Sequence, residues 1–180
     1  MEIERRLLAA LTALILPSLA LGAERFSPLV PPPAPALDEP VVTFTIPRYE
    51  LTPLERETVA MCLVFEAASQ GPRGMRGVMA VVRNRARGLP ELFAPTVLRE
   101  KQFSGLNRVT SGRESLAHAI ARAQSDRMWD AALALVDEAT VDSWADPTGG
   151  ATHYTRSAER TPWTRTLAKT VTIGAHSFYR

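Results

Sequence analysis

The sequence holds a single cysteine, Cys62, so no intrachain disulfide can form and stability must come from packing. Cys62 sits in an apolar helical stretch, where a free thiol behaves as a small hydrophobe rather than an activated nucleophile. Lysine is almost absent, with Lys101 and Lys169 alone beside many arginines, which reads as compositional bias rather than mechanism. Histidine is equally sparse: His118, His153 and His176 share no H-E-x-x-H spacing, so no compact zinc motif is present. Charge of one sign is lacking too. The net charge is +2 over 180 residues, with Arg and Glu interspersed, and that balance is no signature of nucleic-acid binding. No internal repeat is visible.

Long apolar runs are confined to the first residues. Arg5 and Arg6 precede an apolar stretch from Leu7 to Ala23 that Thr12, Pro17, Ser18 and Gly22 interrupt. The pattern fits an export signal, with small residues at Ala20 and Ala23 as cleavage positions. It is short and broken for a membrane span, although Glu2 and Glu4 leave an uncleaved signal anchor as the alternative. Residues 24–50 contain Pro28, Pro31, Pro32, Pro33, Pro35, Pro40 and Pro47, which bar a helix and favour an extended spacer. Val41 to Ile46 has the content of a short strand. The folded domain is therefore expected over 51–180.

That domain opens with Thr52-Pro53-Leu54-Glu55, a capping box with proline where its missing N–H costs nothing. The helix should run to about Ala68. Glu66 follows Cys62 and Leu63 by four and three residues, and Val59 by seven, which places it on their apolar face. A carboxyl at the end of such a stripe is partly desolvated, which favours the protonated form that a general acid needs. From spacing alone, a glutamate reaching from the helix edge to water fits equally well.

Gln70-Gly71-Pro72-Arg73-Gly74 should break the helix, and Met75, Val78, Met79 and Val82 then mark a second one closing at Asn84 and Arg85. Asn84 and Arg85 either brace the first helix or are solvated. Ser111 to Glu114 reads as another capping box, opening a helix through Ile120 and Ala123, with His118 as a surface or packing residue. Ser125 or Asp126 caps a further helix with Trp129, Ala132, Leu133 and Val136 on one face. Asp146 to Gly150 is dense turn chemistry, and the segments 151–156 and 170–179 carry strand-like content. A small antiparallel sheet beside the Glu66 helix would bring His153, Tyr154 and Trp163 to a cleft. Trp163 leans to that cleft and Phe178 to the core, while Tyr154 and Tyr179 fit either place.

Phe65-Glu66-Ala67, Gly74 and the run Val78 to Arg85 resemble the cell wall hydrolases of the SleB/CwlJ type, named for spore-cortex lytic enzymes. Gln102-Phe103-Ser104 resembles the family's QFS motif, and Asp146 to Tyr154 its DPTGGATHY segment. Pro162-Trp163 and Gly174 to Tyr179 resemble its last motifs, so the likeness spans about 55–180. One departure stands out: where the family often has a second acid, four residues after the first, this chain has Gln70.

The resemblance implies an α+β, lysozyme- or lytic-transglycosylase-like domain, mainly helical with a small antiparallel sheet. It implies cleavage of the peptidoglycan strand between muramic acid and glucosamine, with Glu66 as the catalytic acid. The mildly basic balance suits a glycan whose peptides bear carboxylates. Gln102, Ser104, Thr152, His153, Tyr154 and Trp163 are the expected substrate-binding residues, with no metal or cofactor, in an exported monomer of the periplasm or cell envelope. Two-carboxylate glycosidases need a second acid, for which Asp146 and Glu100 are available. A lytic transglycosylase needs Glu66 alone, because the C6 hydroxyl of muramic acid attacks its own C1. A muramidase-type hydrolase, a zinc amidase using His153 and His176, and a non-catalytic peptidoglycan-binding protein are the alternatives.

Overall fold

A computed structural model describes residues 49–180. The expected export signal, the proline-rich spacer and the strand at Val41 to Ile46 lie outside the described residues, except for Tyr49 and Glu50. Helix α1 spans Pro53–Ala67 and begins as its sequence dictates. The Thr52 hydroxyl accepts from the Glu55 amide at 3.3 Å, and Glu55 Oε2 accepts from the Thr52 amide at 2.8 Å. Six consecutive residues, Val59 to Val64, are buried, so α1 is no one-sided surface helix but the central rod of the domain. Helices α2 (Gly71–Arg85), α3 (Phe93–Val97), α5 (Leu116–Gln124) and α6 (Trp129–Ala139) pack around it. A short α4 (Asn107–Thr110) lies between α3 and α5.

Three expectations about helix boundaries need correction. The break after Glu66 is shorter than the run of glycine and proline suggests: a single 3-10 turn, Ala68–Gln70, and then α2 starts at Gly71. Pro72 fits the first turn of α2, where no N–H is required. Gly74 belongs to the helix interior because a Cβ there would come within 2.1 Å of Gln70 Cβ. The second correction concerns Ser111 to Glu114, which closes α4 rather than opening α5. Gly112 takes the left-handed conformation (φ +72°), and Glu114 is drawn to Arg108 and Arg122. Ser115 caps α5 instead, through the His118 amide. Neither Ser125 nor Asp126 caps α6 as the sequence suggests: Met128 holds the cap position with no side-chain bond, and Asp126 accepts from the Met128 amide at 2.8 Å, shaping the turn before the helix.

Strands β1 (His153–Arg156), β2 (Lys169–Ile173) and β3 (His176–Tyr179) form an antiparallel sheet in the order β1-β3-β2. Tyr154 pairs with Phe178, and β2 carries a bulge between Lys169 and Val171. The sheet rests on α2 through Phe178, whose ring lies so close to Gly77 that a Cβ would approach it to 2.6 Å. Val81, Ala151, Ile173 and Phe178 make the small apolar cluster under the sheet. Among the described residues no helix is long and apolar enough to cross a membrane.

Candidate active site

Helices and sheet meet at a cleft of about 620 Å³. Phe65, Glu66, Arg85, Gln102 and Ser104 line one side; His153, Tyr154, Arg156, Glu159, Trp163 and His176 line the other. Glu66 is half-buried near the end of α1 and accepts three hydrogen bonds. On Oε1 they come from the Gly105 amide at 2.6 Å and the Ser104 hydroxyl at 3.3 Å. On Oε2 the donor is the Tyr154 hydroxyl at 2.7 Å. The carboxyl is thus held in a polar cradle, which the apolar stripe before it did not suggest.

Gly105 is fixed by close approach: a Cβ there would lie 2.7 Å from Phe65 Cβ and 3.2 Å from Glu66 Oε1. Burial pushes the Tyr154 phenol well above its ordinary range, and the charge of Glu66 adds to the rise. Tyr154 therefore keeps its proton and serves as a donor. Its ring stacks on Phe178 at 5.8 Å and meets the edge of His176 at 5.2 Å.

Arg85 joins the two sides. Its Nε donates to the Thr152 carbonyl at 2.7 Å and its Nη1 to the Gln102 carbonyl at 3.4 Å, while the guanidinium lies over Phe103 at 5.0 Å. Both segments that supply donors to Glu66 are therefore tied to one side chain at the end of α2. Asn84, next to it, donates to Asp146 Oδ2 and to the Ala151 carbonyl, each at 3.0 Å. Both residues brace the site.

The structure gathers Gln102, Ser104, His153, Tyr154 and Trp163 with Glu66, while Thr152 does not line the cleft. Its hydroxyl is 3.0 Å from His153 Nδ1 and its carbonyl takes Arg85, so Thr152 orients the wall from behind. His153 packs on Trp163 at 5.3 Å, and Trp163 stands edge-on to Tyr179 at 5.3 Å. Burial, aided by Arg85, holds the His153 imidazole below its ordinary pKa; burial does the same for His176. Two buried polar atoms on this wall, His176 Nδ1 and Thr161 Oγ1, have no hydrogen-bond partner among the described residues.

Neither expected second acid reaches the cleft. Asp146 Oδ1 is taken by the Thr148 amide (2.7 Å) and hydroxyl (2.6 Å), and Oδ2 by the Gly150 amide and Asn84. Burial, which would raise its pKa, is outweighed by these bonds, and the carboxyl titrates below its ordinary range. It is a turn builder. Glu100 is exposed, 4.0 Å from Lys101 Nζ, and borders a different cavity. The carboxylate that sequence reasoning missed is Glu159, which lines the cleft and accepts from the Thr155 hydroxyl at 2.9 Å. No sequence signal points to it, because its place depends on the turn after β1.

Gln70 is not at the cleft. Its Oε1 accepts from the Ala175 amide at 2.8 Å and holds the β2–β3 turn against the start of α2. Cys62 is fully buried; burial, with the charge of Glu66, pushes its thiol well up, and it takes no part. Among the described residues no group of three His, Cys, Asp or Glu is arranged to hold a metal ion.

A model of the cell wall hydrolase family matches residues 69–179. The chain belongs to the cell wall hydrolase family. It is accordingly a peptidoglycan-lytic enzyme that acts on the cell wall, in keeping with the SleB/CwlJ resemblance. The matched segment contains every expected binding residue, and Glu66 stands three positions before it. Among solved structures, the chain is similar to the catalytic domain of a germination-specific lytic transglycosylase, SleB, from Bacillus anthracis. The identity is 22% and the TM-score 0.54, over 75% of this chain and 100% of that one. The lytic-transglycosylase-like fold expected from the motifs is thereby the fold observed. No curated protein matches the sequence.

Proposed function

We propose that this cell wall hydrolase cuts the glycan strand between muramic acid and glucosamine as a lytic transglycosylase, with Glu66 as acid and then base. The observation that carries the reading is the cradle of Glu66: three donors hold one carboxyl at the cleft where helices and sheet meet. Oε1 already accepts from the Gly105 amide and the Ser104 hydroxyl, so Oε2, beside the Tyr154 hydroxyl, is the oxygen left to carry the proton in this reading. Glu66 gives that proton to the glycosidic oxygen as the bond to muramic C1 breaks. The C6 hydroxyl of the same muramic residue attacks C1, and its proton returns to the Glu66 carboxylate. A 1,6-anhydro end forms, no water is consumed, and the enzyme is restored.

Intramolecular attack benefits from a high effective concentration, which lets one well-held acid suffice. Glu66→Gln keeps the shape and removes the transferable proton. It should fold with an unchanged melting temperature and lose on the order of 10²- to 10⁴-fold in lytic rate on purified peptidoglycan. Activity within a few-fold of the parent would defeat the assignment.

One observation favours a second reading, hydrolysis by water: Glu159, held by Thr155, is a carboxylate on the sheet side of the cleft. A base there would activate water against C1 and leave reducing ends. Export through residues 1–23, the spacer at 24–50, a catalytic domain at 51–180, a monomeric state and a periplasmic or envelope location belong to the same proposal. They rest on the sequence pattern and on a substrate that lies outside the cytoplasmic membrane.

A further inference from the structure

A second cavity, of about 320 Å³, opens beside the catalytic cleft, and Lys101 and Asn107 line both. The remaining lining is Glu100, Arg108, Thr110, Ser111 and Arg113. Three cations thus face this space with one carboxylate, Glu100, beside them. Glu114, close to Arg108 at 3.5 Å, is itself shared with Arg122 at 3.1 Å. Lys101 joins the two spaces from a left-handed backbone (φ +61°), a conformation that is strained for a non-glycine residue and clusters at functional sites. Its ammonium is largely exposed, and its ion pair to Glu100 is long at 4.0 Å.

We infer that this cavity is a subsite for the short acidic peptide carried by the glycan, and that Lys101, Arg108 and Arg113 bind its carboxylates. The inference rests on the peptidoglycan reading of the cleft and names a part of the substrate that the chemistry at Glu66 does not touch. A strand lying past Glu66 carries its peptides on muramic lactyl groups, so a peptide beside the scissile bond needs a neighbouring groove. The shared wall at Lys101 and Asn107 supplies one. The size suits the end of a short peptide, being at the lower end for a ligand pocket of roughly 300–1,000 Å³. Three cations against Glu100 and a Glu114 shared with Arg122 leave a positive excess that suits carboxylates better than neutral sugar.

The test compares kcat/KM on purified glycan strands bearing peptides with the same strands stripped of peptide by an amidase. In the Arg108→Gln/Arg113→Gln double variant, the ratio of kcat/KM on peptide-bearing to stripped strands should fall about tenfold, which corresponds to about 1.4 kcal/mol. Arg113→Lys should keep the ratio near that of the parent. A ratio within twofold of the parent in the double variant would overturn the subsite. The parent enzyme offers a test free of folding effects: raising salt should increase KM on peptide-bearing strands and affect stripped strands far less. Equal salt dependence on both would also overturn it. Neither outcome depends on whether the products carry anhydro or reducing ends, so failure here is separable from failure of the transglycosylase reading.

Discussion

The helical side and the sheet side of the cleft are built on different principles. On the helical side, Glu66 stands on α1, a rod buried from Val59 to Val64 and enclosed by α2, α3, α5 and α6. On the sheet side, His153, Tyr154, Glu159 and Trp163 stand over a cluster of only Val81, Ala151, Ile173 and Phe178. The acid is held by the larger core, whereas its partners hang on a thin sheet secured by single bonds. Arg85 to Thr152, Asn84 to Ala151, and Gln70 to Ala175 are those bonds. The larger core thus sits under Glu66, and the smaller one under the residues that face it across the cleft.

This contrast makes the donors to Glu66 the informative places to intervene. Gly105→Ala should have the largest effect, because its Cβ collides with Phe65 of the rigid helix and the loop must yield. Losing the 2.6 Å bond to the carboxyl should cost about 10- to 100-fold in kcat, read by turnover of soluble glycan strands. A variant with parental kcat would show that the loop side does not orient the acid. Tyr154→Phe tests the sheet side more gently, since the stacked ring stays and only the hydroxyl goes. About a tenfold fall in kcat is expected with little change in melting temperature. If Tyr154→Phe proved the more damaging of the two, the contrast between the sides would be reversed.

The smallest expected effect concerns the turn that launches β1. The Asp146 carboxyl titrates below its ordinary value of about 3.9, so its contribution to stability is present above that pH and is lost as pH falls through the lower folded value. Asp146→Asn should melt earlier than the parent near neutral pH, and the gap should close below about pH 4. Melting curves over that range decide it. A gap that persists in strong acid would mean that the carboxylate charge is not what holds the turn.

The same two sides differ in how far they could be read from the amino acids. The capping box at Thr52, the apolar periodicity leading to Glu66 and the strand-like alternation after Gly150 are local signals, and the corresponding elements formed. Helical spacing, a short-range rule, put Glu66 at the end of the apolar stripe but left a solvated edge glutamate equally open, and only the family motif singled it out. What surrounds it was less legible. Gly105 follows the Gln102-Phe103-Ser104 motif, yet its role depends on contact with Phe65, forty residues earlier in the chain. Glu159 reaches the cleft only because the turn after β1 returns it there, through Glu159 N–H to the Arg156 carbonyl at 2.8 Å. Asp146 looked available as an acid, but Asn84, from α2, completes its set of donors. Gln70 looked like a missing charge beside Glu66, and instead it ties down a hairpin.

The central claim is tested most directly by the ends of the released fragments. Purified peptidoglycan digested by the parent enzyme should yield muropeptides ending in 1,6-anhydromuramic acid, resistant to borohydride, because the muramic hydroxyl and not water attacks C1. Fragments about 18 mass units heavier and reducible by borohydride would instead mean that water is the attacker. That result would contradict the single-acid account and place Glu159 beside Glu66 as the second catalytic carboxylate.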